Sequence, residues 1–169
     1  MAAKVGEQVL GWFGVRAWRH LPGWLREFLI WWLNARFVVG TVAIIEDTEG
    51  RVLLARHTYR RRTPWGLPGG WVRRGEAPDE TIVRELREET GLSIAVVGPF
   101  TVQRESPRHL TIVYAARFTG GRPHSSTEVS EVRFVTPGAW PDGMRADHRA
   151  LIEQFAAYRG AGGTAASGS

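Results

Sequence analysis

The stretch GWVRRGEAPDETIVRELREETGL, residues 70–92, decides the fold of this chain. Its second half predicts a helix over residues 77–90, because its apolar residues recur at helical spacing and a glycine follows, as at many helix ends. In such a helix Glu85, Glu88 and Glu89 occupy positions i, i+3 and i+4. Their carboxylates therefore share one face.

Three carboxylates so close together repel one another, and each raises the pKa of the others. Hard divalent cations that prefer oxygen ligands remove this cost, so the pattern favours a site for Mg²⁺ or Mn²⁺. Taken alone, three such glutamates more often form a solvated acidic face with internal ion pairs, for example between Arg84 and Glu88. The rest of the stretch decides between the two interpretations.

The whole stretch resembles the Nudix box of the MutT-like Nudix hydrolases at every position. A chance match of this many fixed identities is negligible. The matching residues are Gly70, Glu76, Arg84, Glu85, Leu86, Glu88, Glu89, Gly91 and Leu92. The resemblance extends more loosely over residues 37–158, and the preceding segment, residues 65–69, is also familiar in this family.

The resemblance implies both a fold and an activity. The implied fold is an α/β (α+β) class, Nudix-like alpha-beta-alpha sandwich with a mixed sheet. The implied activity is divalent-metal-dependent hydrolysis of the pyrophosphate linkage in a nucleoside diphosphate joined to another group, with water attacking phosphorus. The substrate stays open between a nucleoside triphosphate, a nucleotide sugar, ADP-ribose and a dinucleotide.

The resemblance also implies roles for individual residues. Metal ligands would be the Gly70 carbonyl and the carboxylates of Glu85, Glu88 and Glu89, with Mg²⁺ or Mn²⁺ as the cofactor. Arg84 would orient the glutamates, Glu76 would brace the loop against the helix, and Gly91 would complete the motif. The pair of glycines at residues 69–70 also fits a turn that needs unusual backbone dihedral angles.

The general base is left open between two regions of the chain, because Nudix enzymes use either a glutamate of the box or a carboxylate from a later loop. Glu89 or Glu88 is the first choice, and Glu128 and Glu131 are the later candidates. In the loop before the box, three consecutive arginines could hold the distal phosphate of the substrate, although a solvated basic loop is an equal alternative. These are Arg60, Arg61 and Arg62.

Composition bounds the remaining classes of protein. With 169 residues, 43% of them apolar and 23% charged, the chain is expected to form a soluble globular domain with a real core rather than a disordered tail. It contains no cysteine, which excludes a disulfide scaffold, a thiolate nucleophile and any cysteine-ligated metal site.

The net charge of +5 is unevenly distributed. Residues 51–75 hold seven arginines and no acid, whereas residues 76–89 hold six acids and two arginines. This order suits a polyanionic ligand beside a bound metal better than a nucleic acid, so we expect no stable nucleic-acid binding. Charges that only keep the protein soluble are the alternative.

The segments around the box alternate between β-type and helical patterns, as in a mixed sheet with helices on both sides. Residues 57–70 are expected to be mostly loop. The predicted strands cover residues 37–46, 51–56, 93–103, 110–118 and 129–135, with the first two as a hairpin, and a last helix covers residues 144–158. The predicted divisions are a helical extension over 1–36, a Nudix domain over 37–159 and a flexible tail over 160–169.

The first 36 residues hold five of the eight tryptophans. An amphipathic helix is predicted with a broad apolar arc that runs from Leu21 to Leu33 and with Pro22 near its start, and a weaker helix is predicted over residues 4–18. The sequence contains no run of about 18 uncharged apolar residues, so no membrane span is predicted, and no secretory signal is recognised. The arc would therefore pack on the protein, form a homodimer or contact a membrane peripherally, in a cytoplasmic protein or one on the cytoplasmic membrane face.

Overall fold

The structure is a computed structural model that describes residues 18–34 and 36–161. The chain divides into two units, Met1–Arg36 and Phe37–Ser169, and each is described by itself. Most of the weaker helix predicted over residues 4–18, and most of the predicted tail, lie outside the described residues.

The first unit contains the predicted amphipathic helix, α1 (Gly23–Leu33). It begins after Pro22 and ends at Asn34, whose side-chain Nδ2 donates to the Ile30 carbonyl at 2.7 Å. No residue of α1 is buried. In the described part of the chain, no helix has the length and apolar character needed to cross a membrane.

The second unit is a seven-stranded sheet with two helices. The strands are β1 (Val38–Glu46), β2 (Val52–His57), β3 (Trp65–Gly66), β4 (Gly69–Trp71), β5 (Leu92–Ser106), β6 (His109–Gly121) and β7 (Val129–Val135), and the helices are α2 (Pro78–Thr90) and α3 (Ala146–Gly160). β1 pairs with β6 in parallel, and every other pairing is antiparallel, so the sheet is mixed as predicted.

Alternate residues of β1 point to opposite faces of the sheet, as the period of a strand requires. Ile44 lies in one buried cluster with Leu151 and Phe155 of α3. Its neighbour Ile45 lies in a second cluster with Ile82 and Leu86 of α2. One helix therefore covers each face, which confirms the predicted alpha-beta-alpha sandwich.

Two details differ from the expected elements. Residues 57–70 are mostly loop, as expected, but they also hold β3 and the start of β4, which are too short to show a period-2 pattern. The predicted hairpin of β1 and β2 pairs in register only at Glu46 and Val52, and β2 instead pairs along its length with β7.

Candidate active site

Helix α2 presents its glutamates because its other side is anchored in the core. Ile82 and Leu86 are fully buried, while Glu88 is exposed. The helix ends at Gly91, whose φ of 72° lies in the left-handed region. A Cβ there would also overlap the carbonyl oxygen of Arg122, so the chain can leave the helix at this point only through a glycine.

The glutamates line a cleft of about 320 Å³ between α2, β4 and the loop before β7. Four carboxylates face this one space, together with an arginine and three hydroxyl side chains. The lining residues are Tyr59, Gly69, Gly70, Trp71, Arg73, Glu85, Glu88, Glu89, Ser126, Thr127 and Glu128. The cleft therefore brings together the box glutamates and one of the two later candidates for the general base.

Arg84 connects these carboxylates to the loop before α2. Its Nε and Nη2 donate to the two oxygens of Glu76 at 2.6 and 2.9 Å, and its Nη1 donates to Glu85 at 2.8 Å and Glu88 at 3.1 Å. Glu76 Oε2 also accepts hydrogen bonds from the Arg73 backbone N–H and the Thr81 hydroxyl. One guanidinium thus links the loop to two of the cleft glutamates.

This network shifts the pKa values of its members. Hydrogen bonds from Arg84 lower the pKa of Glu76 to about 2. The same bonds raise the pKa of Arg84 above its ordinary value. Both groups therefore stay charged throughout the neutral pH range, and the link between loop and helix is permanent there.

Glu89 has the opposite environment. Burial and, after it, the carboxylates of Glu85, Glu128 and Glu88 together raise its pKa to about 7, while Arg84 opposes the shift. Among the residues that the structure describes, no hydrogen-bonded cation neutralises Glu89 as Arg84 neutralises Glu85. The cleft therefore concentrates negative charge around one half-buried carboxyl group.

Gly70 forms the wall of the cleft opposite Glu85. A Cβ at this position would overlap the Glu85 side chain, so only a glycine lets β4 approach α2 this closely. At Gly69 a Cβ would overlap the carbonyl oxygen of Thr41 on β1. Neither glycine has a positive φ. Both positions therefore require glycine because there is no space for a Cβ, and the expectation of unusual dihedral angles was wrong.

The donor set of the cleft fits a hard divalent cation in its chemistry, because carboxylate and carbonyl oxygens are the ligands that Mg²⁺ and Mn²⁺ prefer. The raised pKa of Glu89 marks repulsion that such a cation would relieve. Within residues 18–34 and 36–161, however, no three acidic or histidine side chains converge closely enough to form a finished metal site. Arg84 binds one oxygen of Glu85 and one oxygen of Glu88, which leaves the second oxygen of each carboxylate as an acceptor for a cation.

The other candidates from the sequence separate in the structure. Glu131 does not line the cleft and instead pairs with Arg133 at 2.7 Å on β7. Arg60 lines an adjoining slot, whereas Arg61 and Arg62 are exposed and line neither space.

The adjoining slot, of about 100 Å³, contains functional candidates that the sequence did not reveal. It shares Tyr59, Gly69, Gly70 and Trp71 with the cleft, so the two spaces are neighbours. Its other lining residues are Gly40, Thr41, Val42, His57, Arg60, Leu67, Glu105, Thr111, Arg145 and His148.

Two histidines of this slot are buried and neutral at pH 7. Burial, assisted by Arg60, lowers the pKa of His57 to about 4, and burial with Arg145 lowers that of His148 to about 3. The backbone N–H of Leu67 donates to His148 Nδ1 at 2.8 Å. The proton of the neutral imidazole therefore resides on Nε2.

The sequence offered little to find these residues. They come from β1, β2, β4, the β5–β6 hairpin and the start of α3, which are far apart along the chain. The usable signal in the sequence was that His57 and Tyr59 directly follow the strand predicted over residues 51–56. In the structure the Tyr59 hydroxyl lies 3.3 Å from His57 Nδ1.

A family model for the NUDIX domain matches residues 36–155. The chain is 29% identical over 126 residues to the ADP-ribose pyrophosphatase of Methanocaldococcus jannaschii, covering 72% of this chain and 74% of that protein. It is 34% identical over 132 residues to human 8-oxo-dGDP phosphatase NUDT18, covering 75% of this chain and 40% of that protein.

Solved structures show the same fold. The crystal structure of a NUDIX hydrolase from Nitrosomonas europaea superimposes with a TM-score of 0.68 at 20% identity, covering 78% of this chain and 77% of that one. At this level of identity the likeness concerns the arrangement of the strands and helices.

Proposed function

Because the chain belongs to the Nudix hydrolase family, we propose that it hydrolyses the pyrophosphate linkage of a nucleoside diphosphate derivative with the help of a divalent cation, Mg²⁺ or Mn²⁺. The single observation that carries this proposal is the convergence of four carboxylates and the Gly70 wall on one cleft. Such a concentration of negative charge opposes phosphate binding unless a cation is bound with it.

Glu85, Glu88 and Glu89 would hold the cation together with the Gly70 carbonyl. When bound, the cation would neutralise charge that develops on the phosphate oxygens. Arg84 acts as a positioning residue, because its hydrogen bonds set where Glu85 and Glu88 stand relative to the loop. Arg73, which lines the same cleft, is placed to attract the phosphates.

The general base is proposed to be Glu89, with Glu128 as the alternative. Both line the cleft, and they lie on different elements, Glu89 on α2 and Glu128 in the loop before β7. Substituting one residue at a time therefore tests each candidate base separately. Glu131 is not proposed for this role, because it lies outside the cleft and is paired with Arg133.

The nucleoside is proposed to stack at the boundary of cleft and slot. Tyr59 and Trp71 line both spaces and keep exposed rings there, 60% and 54% accessible. Exposed rings beside a phosphate site offer stacking surfaces for a base. At the far side, the Glu105 carboxylate accepts a hydrogen bond from Thr111 at 2.9 Å and keeps further acceptor capacity for an amino group of a base.

Names of relatives narrow the candidate substrates. The human relative is named an 8-oxo-dGDP phosphatase, and the M. jannaschii relative an ADP-ribose pyrophosphatase. We therefore propose oxidised guanine nucleotides and ADP-ribose as the first substrates to test, ahead of nucleotide sugars and dinucleotides.

The test is a substrate panel assayed with Mg²⁺, with Mn²⁺ and with excess chelator, following release of phosphate-containing products. We expect turnover of at least one nucleoside diphosphate derivative, abolished by chelator. Absence of turnover on the whole panel with either cation would overturn the proposal. For the stacking role, Trp71→Ala should raise KM about tenfold and Trp71→Phe should restore it, because stacking contributes about 1–3 kcal/mol. An unchanged KM in Trp71→Ala would show that the base of the nucleotide does not stack at this boundary.

A further inference from the structure

We propose that α1 binds the surface of a membrane that contains anionic lipids, lying along the interface with its apolar side inserted. This inference concerns the first unit alone and does not depend on the proposed hydrolase function.

The first observation is exposure. Helix α1 buries none of its residues, and its exposed large apolar side chains are accessible to the following extents: Trp24 70%, Leu33 69%, Trp32 65%, Trp31 56%, Phe28 50% and Ile30 50%. An isolated helix of 11 residues is marginal in water, and most helices obtain their stability by packing an apolar face. An exposed surface of this kind marks a site that another body covers.

The second observation is the width of the apolar arc. At about 100° per residue, the arc from Trp31 through Trp24 and Phe28 to Leu33 spans roughly 200°. Arg26 and Glu27 lie outside this arc, together with one apolar residue, Ile30. A seam between two helices uses roughly half of that width. A lipid interface, which surrounds the lower half of a helix, covers it all.

The third observation is the chemistry at the ends of the arc. Residues 18–36 contain three arginines, Arg19, Arg26 and Arg36, against one acid, Glu27. The Arg36 guanidinium lies 3.8 Å from the centre of the Trp31 ring. Indole rings favour the headgroup level and cations favour anionic lipid, so this combination matches a negatively charged bilayer surface. Because α1 has only 11 residues, it would lie on the bilayer rather than cross it.

The experiment is co-sedimentation of the full-length chain with vesicles of phosphatidylcholine alone and of phosphatidylcholine with phosphatidylglycerol in equal parts. We expect the chain to sediment with the anionic vesicles and to lose that binding as salt is raised. If it stays in the supernatant with both compositions, the proposal fails.

Matched variants locate the contact. Trp32→Glu should lower the partition coefficient on anionic vesicles at least about tenfold, because it removes an inserted ring and adds a repelled charge. Val102→Glu is the control, because Val102 is a similarly exposed apolar residue (58%) on β5 in the second unit. Arg26→Gln should lower binding about fivefold, since one cation contributes about 1 kcal/mol at such a surface. Equal binding of the Trp32 and Val102 variants would overturn the assignment to α1.

Sedimentation velocity without lipid distinguishes the competing occupant. If the wild-type chain is a dimer, Trp32→Glu is a monomer, and neither binds vesicles, a second copy of the chain covers α1 and the membrane proposal is wrong. The far-UV circular dichroism of each variant confirms that the second unit remains folded.

Discussion

Helices α1 and α2 have similar lengths, 11 and 13 residues, and both carry an apolar side, yet they end in opposite situations. Helix α2 inserts Ile82 and Leu86 into the core beneath the sheet, where both are fully buried. Helix α1 has the larger apolar residues and buries none of them. An apolar pattern therefore specifies a helix, but it does not specify what covers the apolar side.

The difference has a consequence for the polar sides as well. Because α2 is fixed by its buried residues, Arg84 and Glu76 can hold the cleft carboxylates in defined places. Within the described residues, α1 has no buried side chain that could fix its charged residues in this way, and the contact of Arg36 with Trp31 is local. A chemical site needs a helix that is fixed by buried residues, as α2 is. A surface that binds a separate body needs an exposed apolar side, as α1 has.

The largest expected effect comes from removing the chemistry from α2. Glu89→Gln should lower kcat by about 10²–10⁴-fold, because a neutral amide does not accept the proton and ligates a cation more weakly than a carboxylate, while nucleotide binding is largely kept. Glu131→Gln is the control and should retain kcat, since Glu131 lies outside the cleft. A wild-type rate in Glu89→Gln, with loss of activity in Glu128→Gln, would move the base to the loop before β7.

Truncating one apolar side chain on each helix should change the free energy of unfolding by different amounts. Leu86→Ala should lower the free energy of unfolding by about 2–5 kcal/mol, since Leu86 is buried among the residues of the sheet. Phe28→Ala on α1 should change it by less than about 0.5 kcal/mol, because Phe28 is exposed. Urea titration followed by circular dichroism measures both. Equal losses would show that α1 is packed, which would end the contrast between the helices.

The positioning role of Arg84 predicts a smaller effect on catalysis. Arg84→Lys keeps the charge but cannot reach two Glu76 oxygens, Glu85 and Glu88 at once, so kcat should fall about 10–100-fold. The cation concentration for half-maximal rate should rise with it, which a purely structural role would not produce. Arg87→Lys, on an exposed position of the last turn of α2, should leave both quantities unchanged.

The smallest predicted effect concerns pH and the buried histidines. His148 has a folded pKa of about 3 against about 6.5 in an unfolded chain. Between these values the unfolded chain binds more protons, so stability is lost as pH falls below about 6.5 and is fully present above it. From pH 7 to pH 5 we expect a loss on the order of 1–2 kcal/mol from this residue.

His148→Gln should flatten that decline, whereas His124→Gln, at an exposed position, should not. Urea midpoints at several pH values measure the slope. An equally steep decline in His148→Gln would assign the pH dependence to other groups.

Much of the second unit could be predicted from sequence. The spacing predicted α2 and the glycine that ends it, the bounds of β7 were predicted at Val129–Val135, and the sandwich is confirmed. These elements are local, because periodicity and end signals are written within one segment. The two short strands β3 and β4 were missed, because two or three residues cannot show a period and their pairing depends on β2 and β1.

The candidate site divides in the same way. The positions of Glu85, Glu88 and Glu89 on one helix face follow from their spacing, whereas the choice between Glu128 and Glu131 does not. Glu128 directly precedes the predicted strand and Glu131 lies within it. Only the folded chain shows that Glu128 lines the cleft with Glu89, while Glu131 pairs with Arg133. The neutral state of His57 and His148 likewise depends on burial, which distant segments create.

By itself, the sequence determined the family, the helix that carries the box glutamates and the amphipathic character of α1, since spacing along one segment encodes all three. The tertiary structure alone decided that Arg84 spans Glu76 and the cleft, that Tyr59 and Trp71 join cleft and slot, and that α1 buries nothing. The physical reason is that burial, close approach and hydrogen bonding depend on which segments meet in space, and a pattern within one segment holds no record of its partners.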